Sequence, residues 1–549
     1  MNNSGGYSPK ELHFDSNAQS KLVKGIDKIC AAVQSTLGPL GSTVLIESPE
    51  HTHGITVTKD GVTVAKSISL LDPVENLAVR IVKQAAERTA TNAGDGTTTA
   101  IVLTKALVDQ GLHWIKKGGN KTEILRELES ITREIISNLK KQSIPLTNKN
   151  LIDVATISAN NDRPIGEIIA ETYKKVGKNG IVTVEKSQGS KTYFETTKGI
   201  KFDRGYSSHL FINNHKKDEC VLEDVSVLVC DSDINNILSI ENVLKPIISQ
   251  GKKLLIVAPC SQNVTNTLAA NVMKNSLKLC AVSPPSFGYK QHELMQDIAL
   301  SVGATYFSEN TGDDLSLITF EDLGKAKKII VGKDSTIILK DTAQSDNKEI
   351  NDRVKQLKQA HAIEKNKPDK DFIMSRIASL TGGIGVIYVG GNTDLQQKEL
   401  YDRVDDAVCA VRSAMEEGIL PGGGLALMDQ GKWCETFVDD ASKDYATKST
   451  ITALAMLSSS LRYPAQNIFE NAGYTKDWIA QYLKDHTEGK TKDGHGFDVK
   501  NNKEGNLMAM GIIDPLKVTK EALQNAVSVA VTILSTNAIV TMAREITTK

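Results

Sequence analysis

The chain has 549 residues, 24% of them charged, and its 65 basic and 66 acidic residues leave a net charge of -1. That length calls for roughly two to four domains rather than one core, and the even balance argues against nucleic acid or an anionic membrane as partner. Seven cysteines without a CxxC pair argue against a disulfide framework or a zinc site, and favour a reducing, cytoplasmic setting.

The leading stretch "MNNSGGYSPKELHFD" has no basic-then-apolar signal architecture. Residues 16–37 and 74–91 space apolar residues three and four apart, as with Leu77, Ala78, Ile81, Val82 and Ala85, which predicts amphipathic helices. Between them lie two glycine-flanked turns, "TLGPLGSTV" and "TKDGVTVAK". The second sets Lys59 and Asp60 before Gly61 and is expected to continue as an alternating strand. "NAGDGTTTAIVLTKAL" stacks two glycines, Asp95 and three threonines directly before a helical pattern of Ala100, Ile101, Leu103, Ala106 and Leu107. Residues 121–143 form another helix, with Ile124, Leu128, Ile131 and Ile135 on one stripe.

The pattern changes near Pro145. "GIVTVEKS" and "KTYFETTKGIKF" alternate like strands, while "VSVLVCDSD" and "KKLLIVAPC" read as buried strands, each followed by a turn and a helix. An α/β unit is expected over about 198–383. From Asp402 helices dominate again. The uncharged segment 522–543 carries Gln524, Asn525, Ser528 and Thr532, too many polar groups for a lipid-facing span, so a helix buried in a core or subunit interface is expected. Helical ends therefore bracket an α/β insert.

Two stretches suit a phosphate. Glycines let backbone amides turn inward, and a helix start adds free N–H groups and a favourable dipole. "GDGTTT" supplies both, with Thr97, Thr98 and Thr99 as hydroxyl donors. Asp95 would repel a bare phosphate, so it fits a nucleotide only with Mg2+ between them; a capped turn is the plainer reading. "EEGILPGGGLAL" places three glycines before an apolar helix. Upstream, Asp405 and Asp406 are adjacent on a helix, so at most one of them enters a given pocket.

"TLGPLG", "TKDGVTVAK", "AGDGTTTA", "TISAN", "VGKNGIVTVE", "FDRGYSSHLFIN", "EDLGKAK", "RVDDAVCAVRSAMEEGILPGGG" and "MGIIDPLKVT" occur in this order. They resemble the group I chaperonins, the GroEL type, from about Phe14 to Thr541. The resemblance implies a multidomain α and α/β subunit: a helical equatorial domain from 1–141 and 417–549, a small intermediate domain from 142–197 and 384–416, and an α/β apical domain at 198–383. It implies an ATPase that uses ATP and Mg2+, with K+ a further candidate. Thr36, Leu37, Gly38 and Pro39 would contact nucleotide, with Lys59 and Asp60 on the phosphate side. Asp95 would hold the metal amid Gly96, Thr97, Thr98 and Thr99, with Ile157 and Ser158 nearby. Asp406 would orient water with Asp60 assisting, Gly422, Gly423 and Asp498 would lie against ribose and base, and Asp514 would bind the ribose hydroxyls.

The partners implied are non-native proteins, bound by apical Tyr206, Leu210, Phe211 and Leu244, and copies of the same chain in a ring of seven, single or double. A co-chaperonin lid would use the same apical groove. Several positions depart from the family: Leu40 replaces a lysine, Glu241 a leucine, and Thr265, Ala269 and Ala270 larger apolar residues, which predicts weaker capture of clients and lid. Gln466 and Thr475 replace the charged pair of the ring–ring contact, which predicts weak ring pairing. An ATP-binding ring acting as a holdase or assembly scaffold is the alternative. A small-molecule kinase is a third reading, without a recognisable substrate pocket.

Overall fold

A computed structural model describes residues 10–47, 54–117, 119–177, 181–215, 217–274, 277–308, 312–340, 348–364, 366–381, 383–441 and 447–543. The chain forms two compact units. One gathers Met1–Glu171, Val184–Tyr193 and Tyr388–Lys549, and the other Thr172–Thr183 and Phe194–Ile387.

The first unit is helical because its apolar residues recur at helical spacing. Asp15–Gln34, Pro73–Ala93, Thr97–Lys116, Lys121–Gln142, Lys448–Leu461 and Leu516–Ser535 turn these stripes onto one core that includes Ile26, Ile29, Leu103, Leu128 and Leu457. Its strands come in antiparallel pairs. Lys10–Phe14 lies against Ala538–Met542, Val44–Glu47 against Ile55–Thr58, Ile419–Pro421 against Ile513–Pro515, and His495–Asp498 against Lys503–Asn506.

Two local expectations are corrected. The alternating strand precedes Asp60, as Ile55–Thr58, and a helix, Gly61–Ser67, follows it. Asp60 causes the switch: its carboxylate accepts from Val62 N (3.0 Å), Thr63 N (2.8 Å) and Thr63 Oγ1 (2.6 Å), capping the helix. The apolar run at 522–543 is helical only to Ser535 and then becomes the strand Ala538–Met542. Its polar groups bond within protein, Asn525 to Thr89 Oγ1 at 3.0 Å and Thr532 to Ser528 O at 2.9 Å. Among the described residues no helix is long and apolar enough to cross a membrane.

The second unit is built on a sheet. From Tyr193–Phe202 it runs through Thr336–Leu339, Gly324–Val331 and Cys220–Cys230 with antiparallel pairing, then through Lys253–Val257 and Lys278–Val282 with parallel pairing. Helices Glu241–Ser249, Gln262–Met273 and Tyr289–Val302 contribute to its core, through Leu244, Leu268 and Ile298 among others. Helices Lys348–Ile363 and Lys367–Thr381 form a pair with a small core of Val354, Leu357 and Ile377. Asp297, 2% exposed, ties this pair to the sheet unit. Arg376 Nε donates to it at 2.6 Å and Arg353 Nε at 3.3 Å.

Candidate nucleotide site

A cavity of about 610 Å³ opens within the first unit. Three separate chain segments build its floor. The helix Asp15–Gln34 ends in the turn that brings Thr36, Leu37, Gly38 and Pro39 to the wall. Thr58, Lys59 and Asp60 arrive where the short strand becomes a capped helix. Between helices Pro73–Ala93 and Thr97–Lys116, the Gly94–Gly96 turn presents Asp95. Gly96 sits at φ +84, and an added Cβ would lie 2.6 Å from Val518 Cγ1, so only glycine turns the chain here without strain. Gly96 caps the following helix without a side chain, which leaves its first N–H groups available to an anion.

Helix Asp394–Glu417 supplies the opposite wall. Asp406 lines the cavity and Asp405 does not, as adjacent helical positions require. Asp402, one turn earlier, lines it too, together with Glu399 and Arg403. Pairing on the Asp406 carboxylate alone misses Asp402; its i−4 spacing was the available signal. Asp153, Asn160 and Arg163 also line the cavity. Asn160 and Asn161 hold left-handed backbone at φ 58 and 62, a turn that local sequence does not announce.

Asp514 enters from Ile513–Pro515, beside Gly423 and Gly424. Ile157, Ser158 and Thr99 complete the expected set on the wall. Thr97, Thr98 and Gly422, also expected there, do not line the cavity: Thr97 is 8% exposed, and Gly422 donates its N–H to Ile512 O at 2.9 Å. Asp498 reaches the cavity, but its carboxylate is engaged by its own loop, accepting from Lys500 N (2.9 Å), Asn501 N (3.3 Å) and Asn501 Nδ2 (2.6 Å). It is a loop-folding residue first. Phe497, Met510, Ile512, Ile468 and Pro464 give the cavity an apolar part. Phe497 is backed by Trp478, with ring centroids 5.0 Å apart, and by Tyr474 at 5.5 Å.

Acidic groups dominate the electrostatics. Burial lifts the Asp95 carboxyl above its ordinary range; Gly96 N, at 2.5 Å, and Ser158 oppose the rise, and the charge of Asp60 adds to it. Burial, then Asp60, Asp95, Asp405 and Asp402, lift Asp406 further. Asp514 is pushed to about 7 by burial and by Asp95. Asp95, Asp406 and Asp514 keep some accessible surface because the cavity admits solvent, while protein surrounds them closely. Of the cations on the wall, Arg403 is spent on Glu399 (2.5 Å) and Asp162 (3.5 Å). The carboxylates thus crowd one another beside a helix start that favours anions. A divalent cation would relieve both demands, and the all-oxygen donor set would suit Mg2+. Among the described residues no group of three or more His, Cys, Asp or Glu could hold a metal unaided.

The four apical residues expected on a client-binding surface are divided by the structure. Phe211 (2% exposed) and Leu244 (7%) are core residues of the second unit, against the expectation of a groove. Leu210 is 49% exposed, and Tyr206 is packed against the core with part of its surface free. Phe211 closes a one-turn helix, His209–Phe211, in which adjacent side chains point about 120° apart.

A multidomain fold of helical and α/β units, with a cavity of about 610 Å³ walled by glycine turns and carboxylates, defines the class. The chain belongs to the TCP-1/cpn60 chaperonin family, whose model matches residues 29–544. Among solved structures it resembles the chaperonin gp146 from the bacteriophage EL 2 (Pseudomonas aeruginosa), crystallised in presence of ATP-BeFx. Crystal form II gives a TM-score of 0.69 at 23% identity, covering 97% of this chain and 99% of that one. Crystal form I gives a TM-score of 0.63 with the same identity and coverage.

Proposed function

We propose that this chaperonin is an ATP-driven, ring-forming folding machine of the group I type, hydrolysing ATP at the cavity of the first unit. The observation that carries the reading is the pairing of an uncapped helix start with crowded, buried carboxylates, a charge arrangement suited to a metal–triphosphate. The ATP analogue present with the phage relative supports it.

Bound Mg2+ would supply neutralisation of phosphate charge from Asp95. The first N–H groups of Thr97–Lys116 and the Thr99 hydroxyl receive phosphate oxygens, and Lys59 adds positive charge from the next loop. Asp406 orients water for attack and takes its proton, favoured by the lifted affinity of its carboxyl for protons. Asp60 holds its loop by capping and keeps a second carboxylate beside the reacting centre. Asp514 meets the ribose hydroxyls, and the apolar part around Phe497 and Ile512 receives the base. Non-native proteins bind exposed apolar side chains of the second unit such as Leu210, Leu238 and Leu317.

Magnesium-dependent phosphate release, together with electron-microscope images of the particle with and without ATP, tests the proposal. Turnover, rings and suppressed aggregation of an unfolded protein are expected. Rings that bind ATP and suppress aggregation without turnover would favour the holdase or scaffold instead.

A further inference from the structure

On helix Asp394–Glu417, Asp402, Asp406, Cys409 and Ser413 follow one another at steps of four, three and four, so they share one stripe. The first two line the cavity. The last two meet the turn that carries Asp95. An added Cβ on Gly94, at φ +76, would lie 2.1 Å from Cys409 Cβ, so helix and turn touch without a spare atom between them. One turn on, Ser413, 3% exposed, donates its hydroxyl to Ala93 O at 3.0 Å.

That bond is unusual in two respects. A serine inside a helix commonly bonds back to the carbonyl four residues earlier; here it reaches across to another helix. The acceptor is the last residue of Pro73–Ala93, whose terminal carbonyls lack helical partners. Two ion pairs flank the contact, Lys517 with Glu416 (2.7 Å) and Lys520 with Glu417 (2.6 Å), both from the helix that begins just after Asp514.

We infer that Ser413, through Ala93 O and the Cys409–Gly94 contact, is a positioning residue that sets how deeply Asp406 enters the nucleotide cavity. The inference rests on the ATPase reading above. Ser413 does not line the cavity. It holds the helix two turns from Asp406 against the turn carrying Asp95, so one joint places both carboxylates. Displacement of a catalytic group by about 1 Å can cost about 10²-fold in rate.

The test uses the full-length assembled protein and four versions: parent, Ser413→Ala, Ser413→Val and Ser413→Thr. Valine and threonine match in shape and differ in the hydroxyl, so a packing effect alone moves both equally. Loss of the hydroxyl is expected to lower kcat roughly 10-fold with KM for Mg-ATP little changed. Threonine should restore kcat at unchanged KM and valine should not. Equal kcat in all four versions, or equal loss with threonine and valine, would overturn the inference and leave the ATPase reading intact. A parent without Mg-ATP turnover would overturn both.

Discussion

Asp406→Asn separates what the carboxylate does for chemistry from what it costs the fold. In the nucleotide-free protein its carboxyl is lifted well above the ordinary range, first by burial and then by Asp60, Asp95, Asp405 and Asp402. In the unfolded chain it titrates near the usual value of about 3.9. Between those two values the folded chain holds a proton that the unfolded chain has released, so stability falls as pH rises through that window. Each unit of the rise is worth about 1.4 kcal/mol against folding once the group is ionised. Asparagine keeps the shape without the charge. The variant is therefore expected to be more stable than the parent at pH 8, and the gain should shrink toward pH 4. Phosphate release should fall about 10²–10⁴-fold, the usual size for a positioned base, with nucleotide still bound. Denaturation midpoints at pH 8 and pH 5 without nucleotide, and steady-state turnover with Mg-ATP, measure both. A variant less stable than the parent at pH 8 would refute the crowding argument, and turnover at the parent rate would remove Asp406 from the mechanism.

Leu210→Ser should weaken capture of an unfolded protein with ATPase unchanged, whereas Phe211→Ser should cost about 3–5 kcal/mol of stability in the second unit; limited proteolysis and aggregation assays distinguish them, and identical behaviour contradicts the division. Arg376→Leu leaves Asp297, 2% exposed, without its main partner and should cost about 3–5 kcal/mol, read from denaturation midpoints. Because Asp514 is pushed to about 7 and Asp95 is also lifted, Mg-ATP binding at pH 6.5 should release protons and tighten as pH rises; calorimetry in two buffers of different ionisation enthalpy would show no buffer dependence if this is wrong. Thr475 is an N-cap, accepting from Trp478 N at 3.3 Å, and Gln466 bonds Glu470 at 2.9 Å. If these replace a charged ring–ring pair, mass measurements at moderate salt should find single rings, and a double ring stable with and without ATP would oppose that.

Local pattern was sufficient for much of this protein. Helical spacing marked Pro73–Ala93, Thr97–Lys116 and Lys121–Gln142, because a helix must turn one stripe onto the core whatever it packs against. Glycine turns marked one wall of the cavity, because few other residues accept φ +84 at Gly96. Adjacency on a helix allowed at most one of Asp405 and Asp406 into the cavity, and the family resemblance, not the local pattern, picked Asp406.

Other features were decided only when distant segments met. Alternation after Gly61 looked like a strand until Asp60 capped two amides and committed the chain to a helix. The apolar run at 522–543 had no internal reason to stop at Ser535; pairing of Ala538–Met542 with Lys10–Phe14, more than five hundred residues away, made its end a strand. Phe211 and Leu210 are neighbours in sequence and equally apolar, and only the packing of the one-turn helix buries the first and exposes the second. The lifted carboxyls of Asp95, Asp406 and Asp514 depend on through-space charge and burial among segments hundreds of residues apart, quantities that no local window contains.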